Sequence, residues 1–393
     1  MLKGVRVLDF THMLAGPYAT MLLGDLQAEV IKIEPLDVGD RTRLMGPHFL
    51  GGESAYFLSI NRNKKSLTLD LKQPAGREIF HRLVKVSDVV IDNFRPGTME
   101  QLAADHNTLC GINPRIITCS ISGFGQTGPY RDRPAFDLAL QAISGAMSIT
   151  GEPGRPPVRM GVPMGDLAGS LFGAFAIVSA LYERERTGLG RAIDLGLMDC
   201  MVALLTYVGQ YYLISNEVPQ PIGTSHQSVV PYQAFPTSDG YIVVAIFVEK
   251  FWNIFCGVLG AEHLIADPRF ADNNRRSANR ADLIPLVETI LRTHPSAQWL
   301  TALNEGGVPC APINTLDQVF AEPQVADREM VVHLDHPTAG RFSTLGTPIK
   351  TGSQEDQSWT PPPLHGEHTE EILRDLVKCT ESEIADLRLA RVI

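Results

Sequence analysis

The chain of 393 residues carries 34 Lys and Arg against 44 Asp and Glu, a formal charge of −10, with 44% hydrophobic residues. This is the balance of a globular protein long enough for two domains, and it excludes a broad nucleic-acid-binding surface, so an anionic ligand has to be met by local basic clusters. Cys110, Cys119, Cys200, Cys256, Cys310 and Cys379 form no CxxC pair and no metal-ligand spacing, so reduced thiols and no metal are expected. The opening residues Met1–Phe10 are charged too early for a secretory signal and read as a first strand; a cytoplasmic protein without a membrane partner is expected.

In chain order, Val5–Phe10 reads as a buried strand, Tyr18–Leu26 as a helix entered through Ala15-Gly16-Pro17, and Glu29–Glu34 as a second strand. That spacing is a parallel strand–helix–strand unit, yet the GxGxxG fingerprint and the phosphate-loop pattern GxxxxGK[ST] are both missing. Asp37–Gly52 is a Gly-rich polar loop. Strands follow at Ser66–Leu71, Val89–Phe94 and Ile116–Ile121, with a helix at Pro74–Val86. Asn93–Gly97 and Ser122–Tyr130 then fall at carboxyl ends of strands, where ligands collect in open α/β sheets. Phe136–Ile149 and a long apolar run at Leu197–Leu213 read as helices, with a short strand at Arg191–Leu195 between them. Ser215–Gln227 reads as a linker. Beyond it lie a hairpin around Thr237–Gly240, helices at Phe251–Leu259, Asp282–Thr293 and Ala297–Glu305, strand-like pieces from Val331, and a final helix from about Glu370. These readings divide the chain into residues 1–214, a small domain at 215–325, and a C-terminal part at 326–393.

One stretch organises the rest. From Leu167 to Leu181 nearly every residue is apolar or small, which predicts a helix buried on all sides, and Asp166 stands at its mouth. The apolar run is too short, between Asp166 and Glu183, to span a bilayer. Gly165, Gly169 and Gly173 form a stripe without side chains, so backbone or a ligand is expected to pack close. Asp166 reads either as a helix N-cap or as a nucleophilic carboxylate in a dry pocket. Three basic clusters, Arg41-Thr42-Arg43, Arg62-Asn63-Lys64-Lys65 and Arg131-Asp132-Arg133, are candidate anion sites or solvated loops.

Several ordered segments resemble the class III CoA-transferases, the CaiB/BaiF family. They are Leu8–Pro17, Val30–Glu34, Asn61–Ser66, Asn93–Gly97, Gly123–Pro129, Gly165-Asp166, Arg186–Gly188 with Gly190, and His365–Thr369. The resemblance covers essentially the whole chain. It implies a formyl-CoA-transferase-like α/β fold: a Rossmann-like large domain built from both chain ends, a smaller α+β domain, and two chains interlocked as a homodimer. CoA thioesters are then substrates rather than permanently bound cofactors, and the partners are an acyl-CoA donor and a small carboxylate acceptor.

By the same resemblance Asp166 is the catalytic aspartate. His12, Met13, Leu14 and Ala15 lie beside the CoA adenine and diphosphate, and Asn93, Phe94 and Arg95 along its tunnel. Arg41, Arg43 and Lys65 are candidate phosphate partners, because guanidinium and ammonium groups match phosphate oxygens. Leu14 and Pro35-Leu36 depart from the glutamine and arginines of formyl-CoA transferase, which counts against oxalate as acceptor. Phe136 stands where the related α-methylacyl-CoA racemases carry the histidine of an acid/base pair, which disfavours that alternative; a non-catalytic acyl-CoA-binding protein is the other. Gly223–Phe235 and Phe320–Val325 look most like members that exchange succinyl-CoA with glutarate, itaconate, mesaconate, malate or citramalate. On the substrate side the candidates are Tyr56 and Asp137, with Arg43, Arg159 and His226 as anchors for a second carboxylate.

Overall fold

The computed structural model describes residues 1–351 and 359–393. Six strands, β1 (Arg6–Asp9), β2 (Glu29–Glu34), β3 (Lys64–Thr68), β4 (Val89–Asp92), β5 (Ile117–Ser122) and β6 (Ala192–Gly196), form one sheet in the order β3-β2-β1-β4-β5-β6. Every pairing is parallel. The α/β class with a parallel central sheet is therefore as expected. The order reverses between β1 and β4, and such a switch point opens a crevice at the carboxyl ends of the strands.

Both faces of the sheet are covered, which is why its strands are nearly continuous apolar runs rather than alternating ones. Leu8, Ile31, Leu67 and Val90 pack on one face with Phe80, Leu83, Ile372 and Val392. Val7, Val30, Val89 and Ile117 pack on the other with Ala19, Leu23, Ile177 and Leu181. The chain separates into two compact units. The first contains residues 1–146, 159–217 and 326–393, and the second residues 147–158 and 218–325. Residues 147–158, left with the N-terminal part in the sequence reading, belong to the second unit. That unit has a three-stranded antiparallel sheet in which Tyr241–Ala245 lies between Tyr232–Pro236 and Cys310–Pro312; its helices bury Trp252, Phe255 and Trp299.

Four readings need correction. The third strand begins earlier than Ser66 because Val30 to Glu34 pair in register with Lys64 to Thr68. The expected Leu197–Leu213 helix is two helices, Leu197–Ala203 and Thr206–Ser215, bent by 74° where Thr206 takes a φ of 44°. The Phe136–Ile149 helix is cut to Asp137–Ile143, with Gly145 in the left-handed region. Finally, the helix that carries Asp166, Met164–Thr187, is not buried all round: Leu171 is 56% and Phe175 72% exposed in the single chain. Its 24 residues satisfy length and hydropathy criteria for a membrane span, with 44% of the most apolar window buried; its apolar run still stops short of the roughly 20 residues a span needs.

The glycine stripe has a different partner from the one expected. A Cβ on Gly169 would lie 2.1 Å from Leu197 Cδ2, and one on Gly173 3.2 Å from Ile121 Cδ1. Side chains of β5 and of the helix after β6, not backbone or ligand, fill the groove. Gly190 is more constrained still, since its Cβ would lie 1.9 Å from the backbone oxygen of Ile116. Gly190→Ala should therefore destabilise by about 1–3 kcal/mol, whereas Gly111→Ala, in a helix with nothing within 4 Å of the added carbon, should stabilise by about 0.5–1 kcal/mol. Urea denaturation of both variants measures the opposite signs.

Candidate active site

The loop that leaves β1 is held by buried charge. Asp9 accepts from Thr11 N at 2.8 Å and Thr11 Oγ1 at 2.5 Å. It also accepts from Thr20 Oγ1 at 2.7 Å and Lys64 Nζ at 3.1 Å. Lys32 Nζ, fully buried, donates to Thr11 O at 2.7 Å and pairs with Asp40 at 2.9 Å. Burial alone would raise the Asp9 carboxyl, but Lys64 and Lys32 hold it at about 2. Asn93 then latches the next residue on both sides: Oδ1 accepts from His12 N at 2.9 Å, and Nδ2 donates to His12 O at 2.7 Å. These bonds fix Met13 in the left-handed region at φ 67°, which a side-chain-bearing residue adopts only when its surroundings impose it. The helix Ala15–Asp25 starts directly after, and the amides of Leu14, Ala15 and Gly16 have no acceptor among the described residues. They form a positive helix end.

Asp166 is the third residue of its helix, and among the described residues its carboxylate has no hydrogen-bond or ion-pair partner. The capping work is done by Asp137, whose Oδ1 accepts from Gly165 N at 2.8 Å while Oδ2 accepts from Gln141 at 2.7 Å. Gln141 Oε1 in turn accepts from Met160 N at 2.9 Å. Asp137 is thereby a support for the helix start. Burial first, and the neighbouring Asp137 second, push the Asp166 carboxyl up to about 6. Tyr56 stays protonated, pushed up to about 12 by burial and then by Asp166. Ser170 Oγ lies 2.6 Å from Ala15 O and 2.8 Å from Asp166 O, so one hydroxyl ties the Asp166 helix to the β1 loop.

Two cavities meet here. One, about 260 Å³, is lined by Asp166, Tyr56, the His12–Ala15 loop, Asn93–Pro96, Ser122-Gly123 and Arg131 with Arg133–Phe136. The other, about 890 Å³, lies over the switch point and is lined by Phe10, Glu34–Asp37, Leu69–Gln73 and Arg77. They share His12 and Phe94, whose rings are 5.7 Å apart.

The structure thus gathers His12, Met13, Leu14, Ala15, Asn93, Phe94, Arg95 and Tyr56 around Asp166, as a set. Other candidates are elsewhere. Arg43 is buried, doubly bonded to Glu34 at 2.9 and 2.8 Å, 3.7 Å from the Phe57 ring centroid and bonded to Pro363 O, so its charge is spent internally. Lys65 pairs with Glu29 and Glu371. Arg41 and Arg159 are exposed and line neither cavity. His226 belongs to the second unit, where Nδ1 accepts from Ser228 N and Val229 N and closes a turn. Lys72 and Arg77, in the larger cavity, were missed: Lys72 in the loop after β3 and Arg77 on the following helix look like any surface cations in sequence. Among the described residues no group of three or more His, Cys, Asp or Glu could hold a metal.

A family model described as CoA-transferase family III matches residues 2–369. The chain is 42% identical over 392 residues to the mouse (Mus musculus) succinyl-CoA:glutarate CoA-transferase, covering 100% of this chain and 90% of the mouse protein. It is 40% identical over 354 residues to the acetyl-CoA:oxalate CoA-transferase of Acetobacter aceti, covering 90% of each. A crystal structure of a CaiB/BaiF family protein from Brucella suis superposes with a TM-score of 0.82 at 39% identity, covering 95% of this chain and 99% of that one.

The Asp166 environment has a cost with a definite sign. Its carboxyl is at about 6 folded against 3.8 ordinarily, so the folded state binds the extra proton between those values and stability falls as pH rises through that window. Asp166→Asn should raise the melting temperature above about pH 6 and leave it unchanged below about pH 4. Thermal denaturation at pH 7.5 and pH 4 measures the difference.

Proposed function

Because this chain belongs to CoA-transferase family III, we propose that it moves coenzyme A from a donor such as succinyl-CoA to a small dicarboxylic acid, with Asp166 as the covalent nucleophile. The observation that carries this reading is an unpartnered, half-buried carboxylate, raised to about 6, in a cavity that also holds the loop after β1. A carboxylate stripped of hydrogen bonds is more reactive than a solvated one, and at neutral pH it is still ionised.

Asp166 attacks the thioester carbonyl carbon, the carbon–sulfur bond breaks, and CoA leaves as thiolate from a mixed anhydride. The thiolate then attacks the Asp166 carbonyl, which releases the donor acid and leaves an aspartyl-CoA thioester. The acceptor carboxylate repeats the exchange: it attacks that thioester, expels the thiolate, and is attacked in turn at its own acyl carbon. Acyl-CoA departs and the Asp166 carboxylate is regenerated. Leu14 and Ala15 line the cavity with unbonded amides, which suits them to the developing oxyanions. Tyr56, held neutral, is suited to donate to a substrate oxygen. Anhydrides hydrolyse, and the apolar helix behind Asp166 keeps that side dry.

We assign the nucleotide end of CoA to the larger cavity, with Lys72 and Arg77 near its phosphates and the pantetheine arm passing His12 and Phe94, in place of the adenine and diphosphate position beside His12–Ala15 that the resemblance implies. We further propose a homodimer. Leu171, Phe175, Val178 and Tyr182 recur along one exposed stripe of the Asp166 helix, and Leu213 and Ile214 of the later helix Thr206–Ser215 are exposed as well. A second copy of the chain would cover a stripe of that size, which monomers rarely leave open.

Two experiments test these statements. Brief incubation with succinyl-CoA and no acceptor should give a CoA-sized adduct on Asp166 by peptide mass spectrometry. Asp166→Ala should form none and lose transfer by more than about a thousandfold; an Asp166→Ala protein that still transferred CoA would end the covalent reading. Sedimentation should give twice the 43.0 kDa chain mass, reduced to one chain by Phe175→Asp; a monomeric wild type refutes the dimer.

A further inference from the structure

The sequence motif Arg131-Asp132-Arg133 is not used by the reaction described above, yet the structure places both arginines in the wall of the Asp166 cavity. Their charges are not equivalent. Arg131 is occupied, donating to Gln126 O at 2.9 Å and pairing with Asp132 at 2.9 Å. Arg133 makes no ion pair among the described residues; its guanidinium lies over the Tyr130 ring, 4.2 Å from the centroid, and Tyr130 is braced edge-on by Phe124 at 5.5 Å. A guanidinium oriented by a ring and left without a carboxylate is preorganised for an anion.

The direction of the cofactor decides which anion. Phosphates sit at the nucleotide end of CoA, and the larger cavity with Lys72 and Arg77 is the one over the switch point. The sulfur has to reach Asp166, so the acyl group occupies the smaller cavity, beyond His12 and Phe94. An acyl group with a second carboxylate there faces the ionised Asp166 and Asp137 nearby, and its binding needs a cation on the same cavity. We propose that Arg133 binds the distal carboxylate of the dicarboxylic acyl group, and so sets the preference for dicarboxylates over monocarboxylates of equal length. The assignment rests on the CoA-transferase reading.

The test compares succinyl-CoA with butyryl-CoA, which has the same four carbons and no second acid. The rate of CoA adduct formation on Asp166 is measured by quenched mass spectrometry for wild type, Arg133→Gln and Arg133→Lys, and desulfo-CoA binding by calorimetry. Arg133→Gln should lower the succinyl-to-butyryl rate ratio roughly 10- to 100-fold. Arg133→Lys should restore part of it, and desulfo-CoA affinity should stay within about twofold of wild type. An unchanged ratio overturns the assignment. So does a loss shared by both thioesters together with weaker desulfo-CoA binding, which would assign Arg133 to the CoA phosphates. If the wild type forms no adduct from either thioester, it is the covalent-transfer reading that fails, and this inference falls with it.

Discussion

The site depends on one buried constraint, the pairing of Lys32 and Lys64 with Asp9 and Asp40 beneath the loop that leaves β1. Four charges removed from water are costly unless each is matched and hydrogen-bonded, and here they are: Lys64 Nζ bonds Asp9, Pro17 O and Asn61 Oδ1, while Lys32 Nζ bonds Thr11 O and Asp40. An apolar substitute would pack as well and cost less. It could not hold Thr11 O and, through Asp40, Met13 N in one geometry. The left-handed Met13 shows what that geometry opposes, since its strain persists only where the surroundings over-determine it. Polar cost in the core is exchanged for a helix N-terminus aimed into a cavity.

Asp166 follows from the same logic with the opposite sign. The core acids are surrounded by donors and held near 2 in the cases of Asp9 and Glu34, whereas Asp166 is given none and rises to about 6. Asp137 contributes twice. It caps the helix start, which would otherwise be the role of Asp166 itself, and its negative charge raises its neighbour. A carboxylate freed from capping duty is what the proposed transfer requires. Ser170 then couples this helix to the β1 loop through a single hydroxyl, so Asp166 and the loop amides share one frame.

Much of this was legible in the sequence for stated reasons. Strands buried on both faces read as apolar runs, so the parallel sheet could be traced from Val7-Leu8, Val30-Ile31 and Val89-Val90. Asp166 stood out because an ionisable residue bordering an apolar stretch is rare. The ends of elements were less legible: β3 is fixed by pairing with β2, and the break at Thr206 by a backbone turn that its side chain does not announce. The apolar helix was misread as buried on all sides because composition cannot tell a core face from an exposed one. Leu171 and Phe175 are as apolar as Ile177, which is fully buried.

The basic clusters show why charge pattern alone could not locate the ligand. Each of the three reads alike in sequence, as two or three cations within four residues. Folding sorts them by what each meets. Arg62 pairs with the buried Asp25, 37 residues away, Lys64 with Asp9, 55 away, and Arg43 with Glu34, 9 away, and no local pattern links these acids to them. A chain of net charge −10 has acids enough to neutralise most of its cations internally. Arg133 differs from these in having no ion pair among the described residues while its guanidinium lies over the Tyr130 ring in the wall of the Asp166 cavity. In such a chain the informative property of a basic residue is therefore its lack of an internal partner rather than its membership in a cluster, and that becomes visible only after the long-range pairings have formed.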